Sequence, residues 1–495
     1  MIKTLTVLGG GNAGLMVALY LRTSNPHLKI TVVKSTKIGT IGVGEGSTEH
    51  WKIFAEAVNI QNWEMIKECG ATLKAGIKFE NWHGDGTSYY HSIPEYMAVL
   101  DSYTGNPYTM MSMIRDGVGT ESMHWDLAMK GLHTEPLADN FFQFHFDSEK
   151  LNAFFLRKCS ERDITVVEAE IVDAIIDSEG FVESIVDTEN NLYAADFFVD
   201  SSGFRRVISS RLGSTWVDWS EYLPMNSAIA FPSPYQETIP PYTLAKALSS
   251  GWHWRSPVQD RFGNGYVFSD QFISEDQAIA EIQKEFPDPI KIARKVSFVS
   301  GKIDRFWIKN CVSVGLSSSF VEPLEASSIS TTVQQARVLA TALSTWHRND
   351  TVTTKHYNKI FDEVMTNILD FIQLHYFTER TDSEFWRWCK HNLKMTEFNA
   401  EHLEMFKTNF INQLALPTTN YCIYDMLNWV QVMHGLRMFD QEKIKQQYDL
   451  HFNHLTEAAK HHFSTVPTEK TATFYTSREA VNIVKDRYTD KVYKL

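Results

Sequence analysis

The chain has few cysteines and no pattern among them. Its five (Cys69, Cys159, Cys311, Cys389 and Cys422) are odd in number, scattered over 495 residues, and form no CxxC pair. Neither a disulfide framework nor a cysteine zinc site is indicated. Basic charge is also scarce: 47 Lys and Arg against 60 Asp and Glu leave a formal net charge of -13. That balance argues against nucleic acid, because binding phosphates needs a basic surface. No apolar run is long enough to span a bilayer. No basic, apolar, small-residue leader precedes the first strand pattern. Repeats and low-complexity tracts are missing too. The expected setting is a reducing, cytoplasmic one, with no membrane partner.

Aromatic side chains are plentiful. They make up 13% of the chain, with 31 Phe and 13 Trp, which suits a cavity for flat rings and suits plain packing equally. The length is enough for a large core and two closely joined modules. Ile2 to Leu8 reads as a buried strand, Leu15 to Leu21 as a helix and Lys29 to Val33 as a second strand, a βαβ opening. Between the first strand and the helix stands Gly9-Gly10-Gly11-Asn12-Ala13-Gly14. The first glycine of this Gly-x-Gly-x-x-Gly allows a tight turn, the second lets a pyrophosphate approach the backbone, and the third permits close helix–strand packing. Dinucleotide binding is the expectation. One element is missing: a carboxylate about twenty residues on should hold the ribose hydroxyls. Lys34 stands there, and an ammonium cannot accept those hydrogen bonds. The ribose is then held differently, or the adenosine end is loose, or Lys34 is a solvated strand-end charge.

Gly39 to Ser47 is too glycine-rich for regular structure and reads as a loop. Ala71 to Trp82 reads as strand, 148–162 as helix, and 164–199 as a hairpin or meander. Val199 to Gly203 and Val312 to Gly315 read as strands running into turns. Ser328 to Trp346 is expected to be a helix, and the pattern from about 350 onward is mostly helical.

Three places carry candidate chemistry. Trp252 and Trp254, in Gly251-Trp-His-Trp-Arg-Ser-Pro257, point to one face if the segment is extended; they either wall off a reactive species or fill an ordinary core. Lys74 lies in an apolar stretch and would share a strand face with Lys78. Among apolar groups its ammonium is disfavoured and it becomes a possible donor or nucleophile; an exposed strand lysine fits the same composition. Glu325 directly precedes a helix, with Ser327 as the candidate N-cap and amides able to bind an anion. A carboxylate complementing the helix dipole is the plainer reading. His451, His454, His461 and His462 cluster without a carboxylate or cysteine complement, so solvated histidines are expected and no metal site. The charged tail from Glu469 to Leu495 reads as a terminal helix or arm, compatible with a homo-oligomer.

From Leu5 to about Leu436 the chain resembles the flavin-dependent tryptophan-halogenase family. The matching pieces are Gly9 to Gly14, Ile41-Gly-Val-Gly-Glu-Gly46, Ala71-Thr-Leu-Lys74, Asp200-Ser-Ser-Gly-Phe-Arg205, Gly251-Trp-His-Trp254 with Pro257, Gly263-Asn-Gly-Tyr-Val267 and Phe320-Val-Glu-Pro-Leu-Glu325. Phe385-Trp-Arg-Trp-Cys389 and Trp429-Val-Gln-Val-Met433 with Gly435 follow in the same order.

The resemblance implies an α/β fold: a Rossmann-type FAD-binding module of the flavin monooxygenase type with a mostly helical substrate module. The first would comprise 1–80, 148–215 and 300–346, and the second 81–147, 216–299 and 347–495. It implies FAD, arriving as FADH2 from a separate flavin reductase, together with O2 and a halide ion. A flavin hydroperoxide would oxidise halide to hypohalous acid, which travels an internal passage lined by Trp252, Trp254 and Pro257. Lys74 would deliver the halogen, by hydrogen bonding or through a haloamine, and Glu325 would orient the electrophile or take the ring proton. For the cofactor the resemblance implies Gly9, Gly11, Asn12, Ala13 and Gly14, the strap Ile41, Gly42, Val43, Gly44, Glu45 and Ser47, and Asp200, Gly203, Gly315 and Leu324. The halide is expected at Ser327 and Ser328, and the substrate at His91 and Ile93.

The departures from the family pattern are Lys34 for the usual acid, Ser256 for the usual Ile, and Ala326-Ser327-Ser328 for Ser-Thr-Gly or Ser-Thr-Ser. The last leads us to expect tolerance of a larger, more easily oxidised halide. Members that bind free tryptophan carry a long C-terminal insertion. Here the corresponding stretch, Phe410 to Tyr424, is short, and Ile93 lacks the stacking face of the usual Phe. An indole, phenol or related ring is expected rather than free tryptophan. The alternatives are an aromatic hydroxylase, weakened by Lys74, and a flavin-binding protein without catalysis, supported by Lys34 and Ser256 but weakened by the coexistence of Lys74, Glu325, Trp252 and Trp254.

Overall fold

The βαβ opening forms with a strand at Thr4–Leu8, a helix at Asn12–Ser24 and a second strand at Lys29–Lys34. The computed structural model describes residues 2–37, 45–92, 111, 115, 132–133, 143–235, 237–416, 420–455 and 475–487. The strap positions Ile41, Gly42, Val43 and Gly44, the substrate position Ile93, and His461 and His462 lie outside them. The chain divides into two units, Met1–Ala71 with Phe142–Trp219 and Val299–Met365, and Thr72–Phe141 with Ser220–Phe298 and Thr366–Leu495.

The first unit is built on a six-stranded sheet in the order Trp307–Ile308, Cys311–Ser313, Phe197–Asp200, Thr4–Leu8, Lys29–Lys34, Thr165–Glu168. Every pairing is parallel except the outermost, between Trp307–Ile308 and Cys311–Ser313. Parallel strands covered on both faces need continuous apolar runs. Phe197–Asp200 is accordingly buried at every position. The expected meander at 164–199 contains an antiparallel three-stranded sheet of Ile171–Ile176, Val182–Asp187 and Leu192–Ala194. It packs Ile171, Ala174, Val182 and Ile185 into one core with Leu8, Val33 and Phe198. None of the five cysteines is in a disulfide, and four are buried; burial pushes the Cys159 thiol up to about 12, so that thiol stays protonated.

The second unit contains a seven-stranded sheet in the order Arg294–Ser297, Ser227–Pro234, Arg261–Phe268, Gly251–Pro257, Tyr242–Leu248, Gly76–Glu80, Ser88–Ser92. The module bounds expected from the resemblance assign residues 72–80 to the other module. The structure puts Gly76–Glu80 here, parallel to Tyr242–Leu248. Helices dominate after residue 366, and indole N–H groups tie them and the strand ends to this sheet: Trp82 donates to Ala245 O (2.9 Å) and Trp386 to Leu248 O (2.8 Å).

The helix Thr351–Leu374 carries a buried polar row in this unit. Asn367 exchanges hydrogen bonds with both backbone groups of Tyr424 (2.9 and 3.0 Å). Gln373 donates to Tyr222 O and Lys394 O and accepts from Thr396 N and Asn399. Asp370, between them, is buried with no hydrogen bond to Oδ1, and burial pushes its carboxyl from 3.8 up to about 6. The folded state therefore holds this proton where the unfolded chain has lost it. Its contribution is complete below about pH 4 and is lost as pH rises through 6. About two pH units correspond to ~3 kcal/mol. Asp370→Asn is expected to raise stability by up to about that amount at pH 7.5, measured by denaturant unfolding, with the gain vanishing near pH 4. Equal gains at both pH values would show that the carboxyl titrates normally.

Candidate active site

Each fingerprint glycine meets a different steric demand. Gly9 has φ +121°, and a Cβ there would lie 2.1 Å from Ser201 O. A Cβ on Gly14 would lie 2.3 Å from Gly9 O, whereas nothing stands within 4 Å of the Cβ position of Gly11. The first and third are thus fixed by the turn and the helix packing. The second has open space at its Cβ position, and no side chain caps the helix that follows it. That is the space a pyrophosphate requires, so these residues fit a dinucleotide. The Asn12 side chain donates to Ser148 O (3.4 Å) and accepts from Asn152 (3.1 Å), and Asn152 also donates to Gly10 O (2.8 Å). Asn152, not singled out by the sequence, braces the turn.

Asp200 is completely buried at the end of its strand. One carboxylate oxygen accepts from Ile208 N and Ser209 N (3.0 and 2.9 Å), and the other from Ser202 N, Ser202 Oγ and Ser317 Oγ. Its side chain organises the turns around Gly203 and Ser317. Gly315 has φ +57°, and its Cβ would stand 2.6 Å from that of Ala13. The Gly315 turn is therefore pressed against the start of the fingerprint helix, held by Gln335, which accepts from Gly315 N and donates to Ser318 Oγ.

Leu324 and Glu325 are buried in a short 3-10 turn, Pro323–Glu325. The following helix, Ser327–Leu343, has Ala326 as its N-cap, not Ser327 as expected. Ala326 is left-handed, at φ 54° and ψ 33°. That residue separates the 3-10 turn from the helix, and Ser327 becomes the first helical position. No side chain caps the helix, so its first-turn amides suit an anion near Ser327 and Ser328. Glu45 opens a two-residue strand pairing with His145–Phe146. Ser47 exchanges hydrogen bonds with Phe144, at 2.9 Å through both its amide and hydroxyl. Thr48 bonds Ser330 Oγ on the first turn of the Ser327 helix and His50 Nδ1 (3.2 Å). Thr48 and Ser330 were not foreseen; the hydroxyl run closing the glycine-rich loop was the available signal.

In the second unit Lys74 is 2% exposed. Sequence reading gave one strand from Ala71 to Trp82, with Lys74 and Lys78 on a shared face. The strand is broken instead, into Thr72–Leu73 and Gly76–Glu80, with Lys74 in the break. The break is anchored on both sides: Thr72 Oγ1 donates to Pro257 O (2.7 Å) and Ala75 N to Pro241 O (2.6 Å). Lys78 has a different environment and pairs with Glu80 at 3.3 Å. Trp252 and Trp254 lie on the strand Gly251–Pro257, with ring centroids 6.4 Å apart. Trp254 lies across Gly265 of the adjoining strand, where any Cβ would overlap its ring at 1.8 Å. His253, between them, is buried and held down to about 3, by burial and by Arg255, so it is neutral. Pro257, which ends this strand, is the residue that binds Thr72.

His91 is buried at the end of the sheet. Its Nε2 accepts from Asn428 Nδ2 (3.0 Å), and its ring stands 5.6 Å from that of Phe371. Phe371 stacks on Tyr424 at 4.1 Å. Among the described residues no group of His, Cys, Asp and Glu could hold a metal ion, and no helix is long and apolar enough to cross a membrane.

A mostly parallel sheet whose first strand runs through a glycine turn into a helix defines an α/β protein with a Rossmann-type opening. The family model for tryptophan halogenases matches residues 4–449, and the chain belongs to that family of flavin-dependent enzymes, whose activity is the halogenation of aromatic substrates. It is 31% identical to tryptophan 6-halogenase ThaL of Streptomyces albogriseolus over 456 residues, covering 86% of this chain and 85% of that protein. It is likewise 31% identical to tryptophan 7-halogenase RebH of Lentzea aerocolonigenes, covering 82% of each. Among solved structures it resembles Tar14, a tryptophan C-6 flavin-dependent halogenase from taromycin biosynthesis. The TM-score is 0.87 at 25% identity, with 98% of this chain and all of that one covered.

Proposed function

We propose that this enzyme halogenates an electron-rich ring of indole or phenol type, with Lys74 presenting the electrophile and Glu325 assisting. The chemistry that bound FAD supplies, once reduced by a separate reductase and met by O2, is the oxidation of halide to hypohalous acid. The fingerprint turn, with Gly11 open and Asn152 bracing Gly10, would hold the pyrophosphate. Ser327, Ser328 and the uncapped helix start would hold the halide. Trp252, Trp254 and Pro257 would keep water from the oxidant. The Lys74 ammonium donates to the oxygen of hypohalous acid and polarises the oxygen–halogen bond. Ring carbon attacks halogen, the oxygen leaves as water, and the Glu325 carboxylate accepts the ring proton.

The observation that carries this reading is the burial of Lys74 in an anchored strand break. Lysine is among the residue types least often fully buried, which singles out this one at 2% exposure. The substrate class is supported by Phe410 to Tyr424, which contains no charged residue and so offers no ion pair to the ammonium and carboxylate of a free amino acid. With a flavin reductase, NADH, O2 and bromide, kcat/KM for simple indoles or phenols is expected to exceed that for free tryptophan at least tenfold, and bromide to outcompete chloride. Preference for free tryptophan would overturn the substrate assignment, and chloride turnover equal to bromide turnover the halide one.

A further inference from the structure

The lysine that replaces the expected ribose carboxylate lies at the glycine turn. Lys34 ends the second strand, and its stem runs along Gly10, where a Cβ would lie 2.5 Å from Lys34 Cβ and 2.9 Å from its Cδ. Its register partner on the adjoining strand is Glu168, the last residue of Thr165–Glu168. Lys34 Nζ donates to Glu168 Oε2 at 3.0 Å, and Thr36 N donates to Oε1. A carboxylate therefore stands beside the fingerprint after all, one strand over. The Thr36 amide and the Lys34 ammonium hold its carboxyl down at about 2, so it is ionised. Its side chain is half exposed, and a carboxylate has about four acceptor positions, which leaves capacity for a ligand hydroxyl.

We propose that Glu168 accepts the hydrogen bond from the adenosine ribose 2′-hydroxyl, with Lys34 as the strut that positions it. The proposal rests on the FAD reading above. A plain surface ion pair would predict no effect on nucleotide binding.

The test is equilibrium binding by the whole protein, with no turnover needed. Oxidised FAD is titrated by its fluorescence and displaced by ADP or 2′-deoxyADP. The parent is expected to bind ADP roughly tenfold more tightly than 2′-deoxyADP, the size of a hydrogen bond to a charged group. Glu168→Gln is expected to weaken FAD binding and reduce that ratio to about twofold or less. Lys34→Gln, which keeps an N–H donor toward Glu168, is expected to keep most of the ratio, and both variants to unfold near the parent's midpoint. Full discrimination by Glu168→Gln, or its loss only in Lys34→Gln, would overturn the assignment. A parent that binds neither FAD nor ADP would instead overturn the flavin reading on which it rests.

Discussion

Replacing Lys74 by methionine is expected to lower halogenated product at least a hundredfold while FAD binding and NADH-driven flavin turnover continue. A positioned proton donor contributes about 10²–10⁴ in rate, and this one has no substitute if it alone meets the oxidant. Methionine keeps the unbranched stem and volume, so a residue that is 2% exposed is exchanged without leaving a cavity. The unfolding midpoint separates lost chemistry from lost fold. Glu325→Gln is expected to fall less, about tenfold to a hundredfold, since another base can remove the ring proton. Undiminished product from the Lys74 variant would remove lysine from the mechanism.

Two alanine substitutions two residues apart are expected to fail in opposite ways. In Gly9→Ala the new methyl would meet Ser201 O at 2.1 Å with the backbone held at φ +121°. The conformation alone costs about 1–3 kcal/mol, and relieving the overlap moves the turn that joins the first strand to its helix. A total loss of about 3 kcal/mol or more is expected in denaturant unfolding. Gly11 has φ -70° and ψ 167°, a conformation alanine adopts freely, and no atom within 4 Å of its Cβ position. Gly11→Ala should unfold like the parent yet bind FAD at least tenfold more weakly, because its methyl projects where the phosphate approaches. If Gly11→Ala bound FAD normally, the turn would not be the pyrophosphate site.

These glycines were legible in the sequence because the physics that demands them is local. A tight turn between a strand and a helix shows itself in three positions. The Trp252–Trp254 face was legible for a similar reason, since strand side chains alternate with period two. The Lys74 break was not. Ala71 to Trp82 has the composition of one strand, and the interruption is made by partners far along the chain, Pro257 for Thr72 and Pro241 for Ala75. The cap at Ala326 was hidden because a left-handed backbone on alanine leaves no mark in side-chain chemistry, and the nearby Ser327 invited the wrong assignment. Lys34 looked like a missing acid because its partner Glu168 lies 134 residues on. Sheet order, which one sequence does not reveal, makes them neighbours.

The most direct measurement is the mass of the product. Enzyme, flavin reductase, NADH, O2, bromide and an indole substrate are incubated, and the product is read by high-resolution mass spectrometry. The expected result is replacement of one ring hydrogen by bromine, seen as its paired isotope pattern, absent from the Lys74→Met reaction. A product that has gained one oxygen and no halogen would contradict halogen transfer and make the protein a hydroxylase.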